Sequence, residues 1–539
     1  IVYYRDSLGD ESYRNSIAVA LGGDGSVATN GFWSALNTAT TSRLPMLFYI
    51  EDNGFGLSVP GTKQTPGGNI AANLAAFRNL RVFSGDGCNP ADVCQCVQEA
   101  VGCVRSGDGP ALLRVTMPRL CGHSGQDTQA YKSPSLLALE RAKDPLSAFR
   151  RYLVPAVISE EEWAGEERAA EQEVQSAAEA ALARPEADAS SILDYVFAPL
   201  AYASGSEALA TTAREPARIN MLTAIRRTLE HELKINPKVL IFGEDVGAKG
   251  GVHAATMGLQ DTFGEDRVFD TSLSEEGIIG NAVGMALAGL RPVAEIQFRK
   301  YADPATEQLN DCGTMRWRTA NRFTAPIVVR MPGGFGKCGD PWHSVSSEVT
   351  FAHAIGWQVL FPSNAEDAAG LLRAALRSPN PSIFFEHRAL LDAAWARRPY
   401  PGDEFILPLG VANVVQEGRG LTVVTWGAMV ERCLNASERT GASVEVIDLR
   451  TIVPWDRKAV VRSVQKTRRC LIVHEDALTA GFGAEIGASV AHDAFLSLDA
   501  PVERLAVPDV PLPYSLHLLK AVLPSADTIA AKMQEVLAF

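Results

Sequence analysis

The feature that most constrains this chain is a recurrent alternation of short apolar, β-branched runs with helical stretches. Between Ile17 and Pro118 the runs are "SIAVAL", "MLFYI", "LRVFS" and "ALLRVTM". Strands alternating with helices build βαβ units, and βαβ units build parallel sheets. The pattern restarts after Ile219, with a helix "NMLTAIRRTLEHELKIN" and strands "KVLIFGEDVG", "RPVAEIQF" and "APIVVRM". It restarts again near Leu421, with "LTVVTWG", "SVEVIDL" and "CLIVHED". Three α/β blocks are therefore expected, which suits 539 residues, more than one hydrophobic core usually serves. Between the first two, Ser159 to Ala187 is rich in Ala and Glu. It opens on a capping box, Ser159 with Glu162, and reads as a solvent-facing helix. Ser190 to Pro216 is loosely patterned and reads as a linker.

Charge and composition remove several function classes. A net charge of −13 is the wrong sign for a nucleic-acid surface. No apolar run reaches the roughly 18 residues of a membrane span, and no signal peptide heads the sequence. The nine cysteines show no paired CxxC spacing, so a reduced, cytoplasmic protein is expected.

In a doubly wound sheet, ligands sit outside the carboxyl ends of the strands. "SIAVAL" running into "GGDG" puts Asp24, between Gly23 and Gly25, at one such end, and "MLFYI" running into "EDNG" puts Asn53 at another. If the two strands are neighbours, these side chains are roughly 5 Å apart laterally. A carboxylate, an amide oxygen and a main-chain carbonyl are hard donors suited to a magnesium ion that also takes phosphate oxygens. The glycines allow close approach of the backbone to a diphosphate, and a helix N-terminus adds a favourable dipole.

This pair of turns resembles the thiamine-diphosphate motif of the 2-oxo acid dehydrogenase complexes, in the α subunit of their decarboxylating first component. The resemblance implies that Asp24, Asn53 and the main-chain oxygen of Phe55 hold magnesium against the cofactor's diphosphate. Asp52 stands where the family has a first asparagine. "PRLCGHSGQD" is similar to the α-subunit loop in which a histidine precedes a serine and an aspartate follows. By that match His123 is an active-site histidine, Arg119 sits near the diphosphate or anchors the loop, and Ser124 takes the place of a serine phosphorylated in some members.

From about Ile219 the chain resembles the β subunit of the same component, through "IFGEDVGAKGG", "VFDTSLSEEGIIGNAVGMALAGLRPVAEIQF", "PWHSVSSE" and "VIDLRTIVPWD". An α-like half followed by a β-like half implies a natural fusion. The match makes Glu275 the carboxyl group on the aminopyrimidine ring, where a dry site suits proton retention. It makes Tyr301 the aromatic that stacks on that ring, Glu244 a cofactor-proximal acid and His343 the second active-site histidine. The expected domains are an α-like cofactor domain at 1–158, a helical segment and linker at 159–216, a pyrimidine-binding domain at 217–405 and a transketolase-type C-terminal domain at 406–539.

The resemblance implies oxidative decarboxylation of a 2-oxo acid and acyl transfer to a lipoyl group of a partner acyltransferase, by a homodimer of the fused chain. "AEIQF" and "DLRTIVPWD" look most like the branched-chain enzymes. The alternatives are a pyruvate or acetoin dehydrogenase-type component, or a catalytically silent scaffold of such a complex. Only 22 residues precede Gly23, where the family's α subunit has a long segment. "YYRD" (Tyr3 to Asp6) resembles its Tyr-Arg diphosphate motif, which lies farther upstream. The expectation is that part of the N-terminal region is missing from this sequence and that Tyr4 and Arg5 bind diphosphate.

Overall fold

The computed structural model describes residues 1–199, 215–335 and 339–539. The linker expected at Ser190–Pro216 lies mostly outside the described residues. The chain divides into two compact units, Ile1–Ile192 and Leu193–Phe539.

The first unit is built on a four-stranded parallel sheet. Its strands are β1 (Ala18–Gly23), β2 (Met46–Asp52), β3 (Arg81–Asp86) and β4 (Ala111–Thr116), in spatial order β1-β2-β4-β3. Helix α1 (Asn30–Thr41), capped by the Thr29 hydroxyl, connects β1 to β2, and α2 (Pro90–Arg105), capped by Asn89, connects β3 to β4. The period of two along β2 sorts its side chains to opposite faces. Phe48 and Ile50 pack with Leu36 and Ala39 of α1, whereas Leu47 packs with Ala100 and Val104 of α2. β1 is an edge strand, and its Val19 and Leu21 are exposed. Helix α3 (Glu160–Leu182) carries the capping box expected from Ser159 and Glu162, and of its residues only Trp163 is buried.

The second unit holds two larger sheets. Helix α4 (Met221–Ile235) leads into β5 (Val239–Gly243), β6 (Val268–Asp270), helix α5 (Glu275–Leu287), β7 (Arg291–Glu295), β8 (Val328–Gly333) and β9 (Gln358–Leu360). Helix α6 (Ala365–Arg377), buried almost throughout, and β10 (Ser382–His387) follow. The next strands are β11 (Asn413–Gln416), β12 (Leu421–Thr425), β13 (Val444–Asp448), β14 (Thr451–Val453), β15 (Cys470–Ala477) and β16 (Glu503–Val507). One sheet runs β14-β9-β10-β8-β7-β5-β6 and the other β11-β13-β12-β15-β16. Most pairings are parallel; β14 on β9 and β11 on β13 are antiparallel. Strands such as β5, β8 and β10 are buried at every position, as expected for sheets covered on both faces.

Candidate active site

In the first unit the parallel pairing of β1, β2 and β4 brings three carboxyl-end loops side by side, with Gly23 opposite Glu51 and Asp52 opposite Thr116. Asp24 follows β1 and is only 7% exposed; among the described residues its Oδ2 has no hydrogen-bond partner. Burial, then the Asp52 charge, raises the Asp24 carboxyl above the usual range. After β2, Asp52 and Asn53 each fold back on the chain. Asp52 Oδ1 accepts from Gly54 N–H at 3.0 Å and Asn53 Oδ1 from Phe55 N–H at 3.1 Å. Asp52 is also held by Arg114 at 2.5 Å, so it serves as an ion-pair partner. The two loops approach so closely that a Cβ on Gly25 would meet the Gly56 Cα at 3.2 Å. Neither position has room for a side chain without a shift.

The loop after β4 is stitched to the same place. Arg119, 9% exposed, donates from Nη1 to the Leu57 carbonyl and reaches the Phe55 carbonyl at 3.5 Å. Lys132 lies 4.8 Å over the Phe55 ring, donates to the Arg119 carbonyl at 3.2 Å and pairs with buried Glu140 at 2.7 Å. His123 is exposed on this loop, and its N–H donates to Asp127 Oδ2 at 2.7 Å. Asp127 also accepts from Gln129 N–H at 2.8 Å and from the Tyr131 hydroxyl at 3.1 Å. These bonds hold its carboxyl below the usual range. Gly122 is required where it stands, because a Cβ there would lie 2.2 Å from the Asp127 carbonyl oxygen.

Tyr4 and Arg5 are not brought to Asp24. Tyr4 stacks on Tyr13 at 4.9 Å, and Arg5 is bonded to its neighbour Asp6 at 2.6 and 2.8 Å. Arg5 lines a small cleft with Arg14, Arg43, Pro45 and Arg105, at the amino ends of β1 and β2. Asp24 is at the carboxyl end, and the six residues of β1 between them span about 20 Å.

In the second unit Glu244, Glu275, Tyr301 and His343 follow the carboxyl ends of β5, β6, β7 and β8, which share one parallel stretch of sheet. Glu275 is the first residue of α5, whose start is capped by Ser274 accepting from Gly277 N–H at 3.3 Å. Glu244 is 6% exposed, and among the described residues its Oε1 has no hydrogen-bond partner. Burial, then the charge of Glu275, then that of Asp245, pushes the Glu244 carboxyl up to about 7. The two acids separated by 31 positions in sequence thus share one electrostatic environment.

His343 is fixed on several sides. Its Nδ1 lies 2.7 Å from Asp340 Oδ2 and its Nε2 2.8 Å from the Tyr301 hydroxyl. Its ring meets the Phe298 ring edge-on at 4.5 Å, and Arg388 donates to its carbonyl at 2.7 Å while lying 5.3 Å over Phe298. His253 also faces Phe298, at 6.0 Å; burial, then the Arg388 charge, lowers its pKa below the usual histidine range. Sequence reasoning missed Asp340, Phe298, His253 and Arg388. The Asp-x-x-His spacing of Asp340 and His343 was the one legible signal.

Comparison with known proteins shows the family. The family model described as "Dehydrogenase E1 component" matches residues 11–190. Those for the transketolase pyrimidine-binding and C-terminal domains match 217–393 and 410–529. The chain is 39% identical to the 2-oxoisovalerate dehydrogenase subunit beta of Bacillus subtilis over 60% of its own length and 99% of that protein's. The chain belongs to the 2-oxo acid dehydrogenase E1 family. Its α-like and β-like parts are fused in one polypeptide, and the family depends on thiamine diphosphate. The pyruvate dehydrogenase E1 component subunit beta of Bacillus subtilis is 42% identical over 60% of this chain and 100% of its own length, so this E1 chain resembles both substrate types. A solved split-gene transketolase, an inactive β4 tetramer, aligns over 59% of this chain and 99% of its own, with a TM-score of 0.47 and 20% identity. Among the described residues no helix is long and apolar enough to cross a membrane.

Proposed function

We propose that this E1 chain oxidatively decarboxylates a branched-chain 2-oxo acid and passes the acyl group to the lipoyl group of a partner acyltransferase. The observation that carries the reading is that, in each unit, all the matched residues but Tyr4 and Arg5 follow the carboxyl ends of parallel strands, where a buried carboxylate oxygen, Asp24 Oδ2 in one and Glu244 Oε1 in the other, has no hydrogen-bond partner among the described residues. These residues fit the cofactor. Asp24 has a raised carboxyl whose Oδ2 has no hydrogen-bond partner among the described residues, Asn53 Oδ1 has further acceptor capacity beyond its one bond, and the Phe55 carbonyl lies in the same loop. They would hold magnesium and the diphosphate, with Gly23, Gly25 and Arg119 bounding the loop. Glu244, Glu275 and Tyr301 would take the aminopyrimidine.

When bound, thiamine diphosphate supplies the electron sink that decarboxylation of a 2-oxo acid requires. The chain's residues do the rest. Glu275 holds and releases a proton at its carboxyl group, beside an acid already poised near neutrality. His343, gripped by Asp340 and Tyr301, and His123, presented by the Asp127-braced loop, handle protons of substrate and acceptor. Glu244 is buried, and Glu275 beside it is half-buried at the start of α5. The branched-chain assignment is supported by the "AEIQF" and "DLRTIVPWD" segments, and homodimerisation by the family's pairing of two α-like with two β-like halves.

The test is turnover of 3-methyl-2-oxobutanoate and of pyruvate with an artificial electron acceptor, with and without thiamine diphosphate and magnesium. Cofactor-dependent turnover favouring the branched acid is expected. A preference for pyruvate overturns the substrate assignment, and no turnover on either overturns the enzymatic reading. Glu275→Gln should keep cofactor binding and lose decarboxylation.

A further inference from the structure

The structure assigns Asp340 as the positioning residue that sets the tautomer of His343, holding Nε2 as a proton acceptor. This rests on the proposed role of His343 in proton transfer. Asp340 makes two kinds of contact. Its Oδ1 accepts from the main-chain N–H groups of Trp342 at 2.6 Å and His343 at 3.3 Å, which closes the turn. Its Oδ2 sits 2.7 Å from His343 Nδ1. An ionised carboxylate is only an acceptor, so Nδ1 must carry the hydrogen, and in a neutral imidazole Nε2 is then bare. The partner at Nε2 is the Tyr301 hydroxyl at 2.8 Å, which can donate as well as accept. Tyr301 therefore follows the tautomer, and Asp340 dictates it. Burial pushes the Asp340 carboxyl up, but the bonds from His343 and from the Trp342 amide outweigh it and hold the carboxyl below its usual range.

The ring has little freedom to escape this arrangement. It stands at 80° to Phe298 and 81° to Tyr301, and Arg388 ties the His343 carbonyl from behind. A proton taken at Nε2 from a group hydrogen-bonded there leaves an imidazolium whose Nδ1–H still faces the Asp340 carboxylate. The same carboxylate thus orients the neutral base and stabilises the charged acid.

Asp340→Asn separates this role from a structural one. The asparagine oxygen keeps the bonds to the Trp342 and His343 amides, so the turn persists. Its NH2 group replaces Oδ2 with a donor, which forces Nδ1 bare and moves the hydrogen to Nε2. The expected result is a loss of kcat of about 100-fold with KM within about twofold. Asp340→Asn combined with His343→Gln should lose no more than His343→Gln alone, since Asp340 acts through the imidazole. A second readout needs no cofactor and no turnover: in 15N-histidine NMR, with His343 assigned by its absence in His343→Gln, the bare-nitrogen signal should move from Nε2 to Nδ1 in Asp340→Asn. It should stay on Nε2 in Tyr301→Phe. Wild-type kcat in Asp340→Asn, losses that multiply in the double variant, or a bare nitrogen that stays on Nε2 in Asp340→Asn or leaves it in Tyr301→Phe would each overturn the assignment. If the wild type turns over no 2-oxo acid, or His343→Gln keeps full activity, the proposed function fails instead, and the NMR result still decides the tautomer.

Discussion

Glu244→Gln should change how the stability of this E1 chain depends on pH. The side chain is 6% exposed, and burial with the charges of Glu275 and Asp245 lifts its carboxyl from 4.5 to about 7. Below pH 4.5 folded and unfolded chains both carry this proton, and its contribution to stability is fully present. As the pH climbs from 4.5 to 7 the unfolded chain ionises while the folded one resists, so stability falls; above 7 the loss is complete. Lifting the carboxyl over that range corresponds to about 3 kcal/mol at 1.36 kcal/mol per pH unit. Solvent at the mouth of the site screens part of this, leaving a value on the order of 2 kcal/mol.

Glutamine has the same shape and no titration. Urea unfolding of the apo wild type and variant at pH 5 and pH 8 should show the variant gaining about 2 kcal/mol relative to the wild type at the higher pH. The difference between the two proteins is the informative quantity, because buried Glu295, Glu348 and Asp448 are also pushed up and weaken both proteins alike as pH rises. Glu275→Gln removes the second-largest cause and should reduce the pH dependence without abolishing it. Identical pH dependence in wild type and Glu244→Gln would refute the reasoning.

Three further outcomes follow from geometry. Asp24→Asn should lose the melting-temperature rise given by thiamine diphosphate with magnesium, while its apo form melts at or above wild type at pH 8, because a buried charge is gone. Gly122→Ala should cut kcat/KM by up to about 100-fold with little change in melting temperature, since the added Cβ must displace the exposed His123–Asp127 loop. Arg330→Met should destabilise the chain by about 3–5 kcal/mol in urea unfolding, because fully buried Arg330 donates to both Glu295 at 2.8 Å and Glu386 at 2.7 Å, and the two acids would be left facing each other.

What the sequence disclosed followed the range of the forces involved. Period-two apolar runs with helices between them are local, so the blocks at Ile17–Pro118, after Ile219 and after Leu421 were legible, and each became a sheet. Asp24 and Asn53 were legible as neighbours because one βαβ unit separates them, and β1 does lie beside β2. The position of Arg5 was not, because proximity in sequence to Gly23 says nothing about which end of a strand a preceding segment packs against. "DLRTIVPWD" shows the same limit. It reads as one motif, yet Asp448 ends β13 in the five-stranded sheet, Arg450 turns the chain with φ +61°, and Thr451–Val453 pairs antiparallel with β9 of the other sheet.

The surroundings of His343 were the least legible, and strand order explains why. Phe298 and Tyr301 follow β7, Asp340 and His343 follow β8, and Arg388 follows β10; β8 lies between β7 and β10 in the sheet. A histidine placed after the middle strand of three therefore collects partners from both sides, whatever the lengths of the loops between them. Sequence can nominate the histidine by its motif, but which carboxylate or phenol reaches it depends on which strands become neighbours. That dependence makes the Asp340–His343–Tyr301 chain sensitive to side-chain changes in loops and comparatively insensitive to changes within the strands. Conservative core swaps in β7, β8 or β10 should cost stability and leave the pH profile of turnover in place, whereas Asp340→Asn should do the reverse.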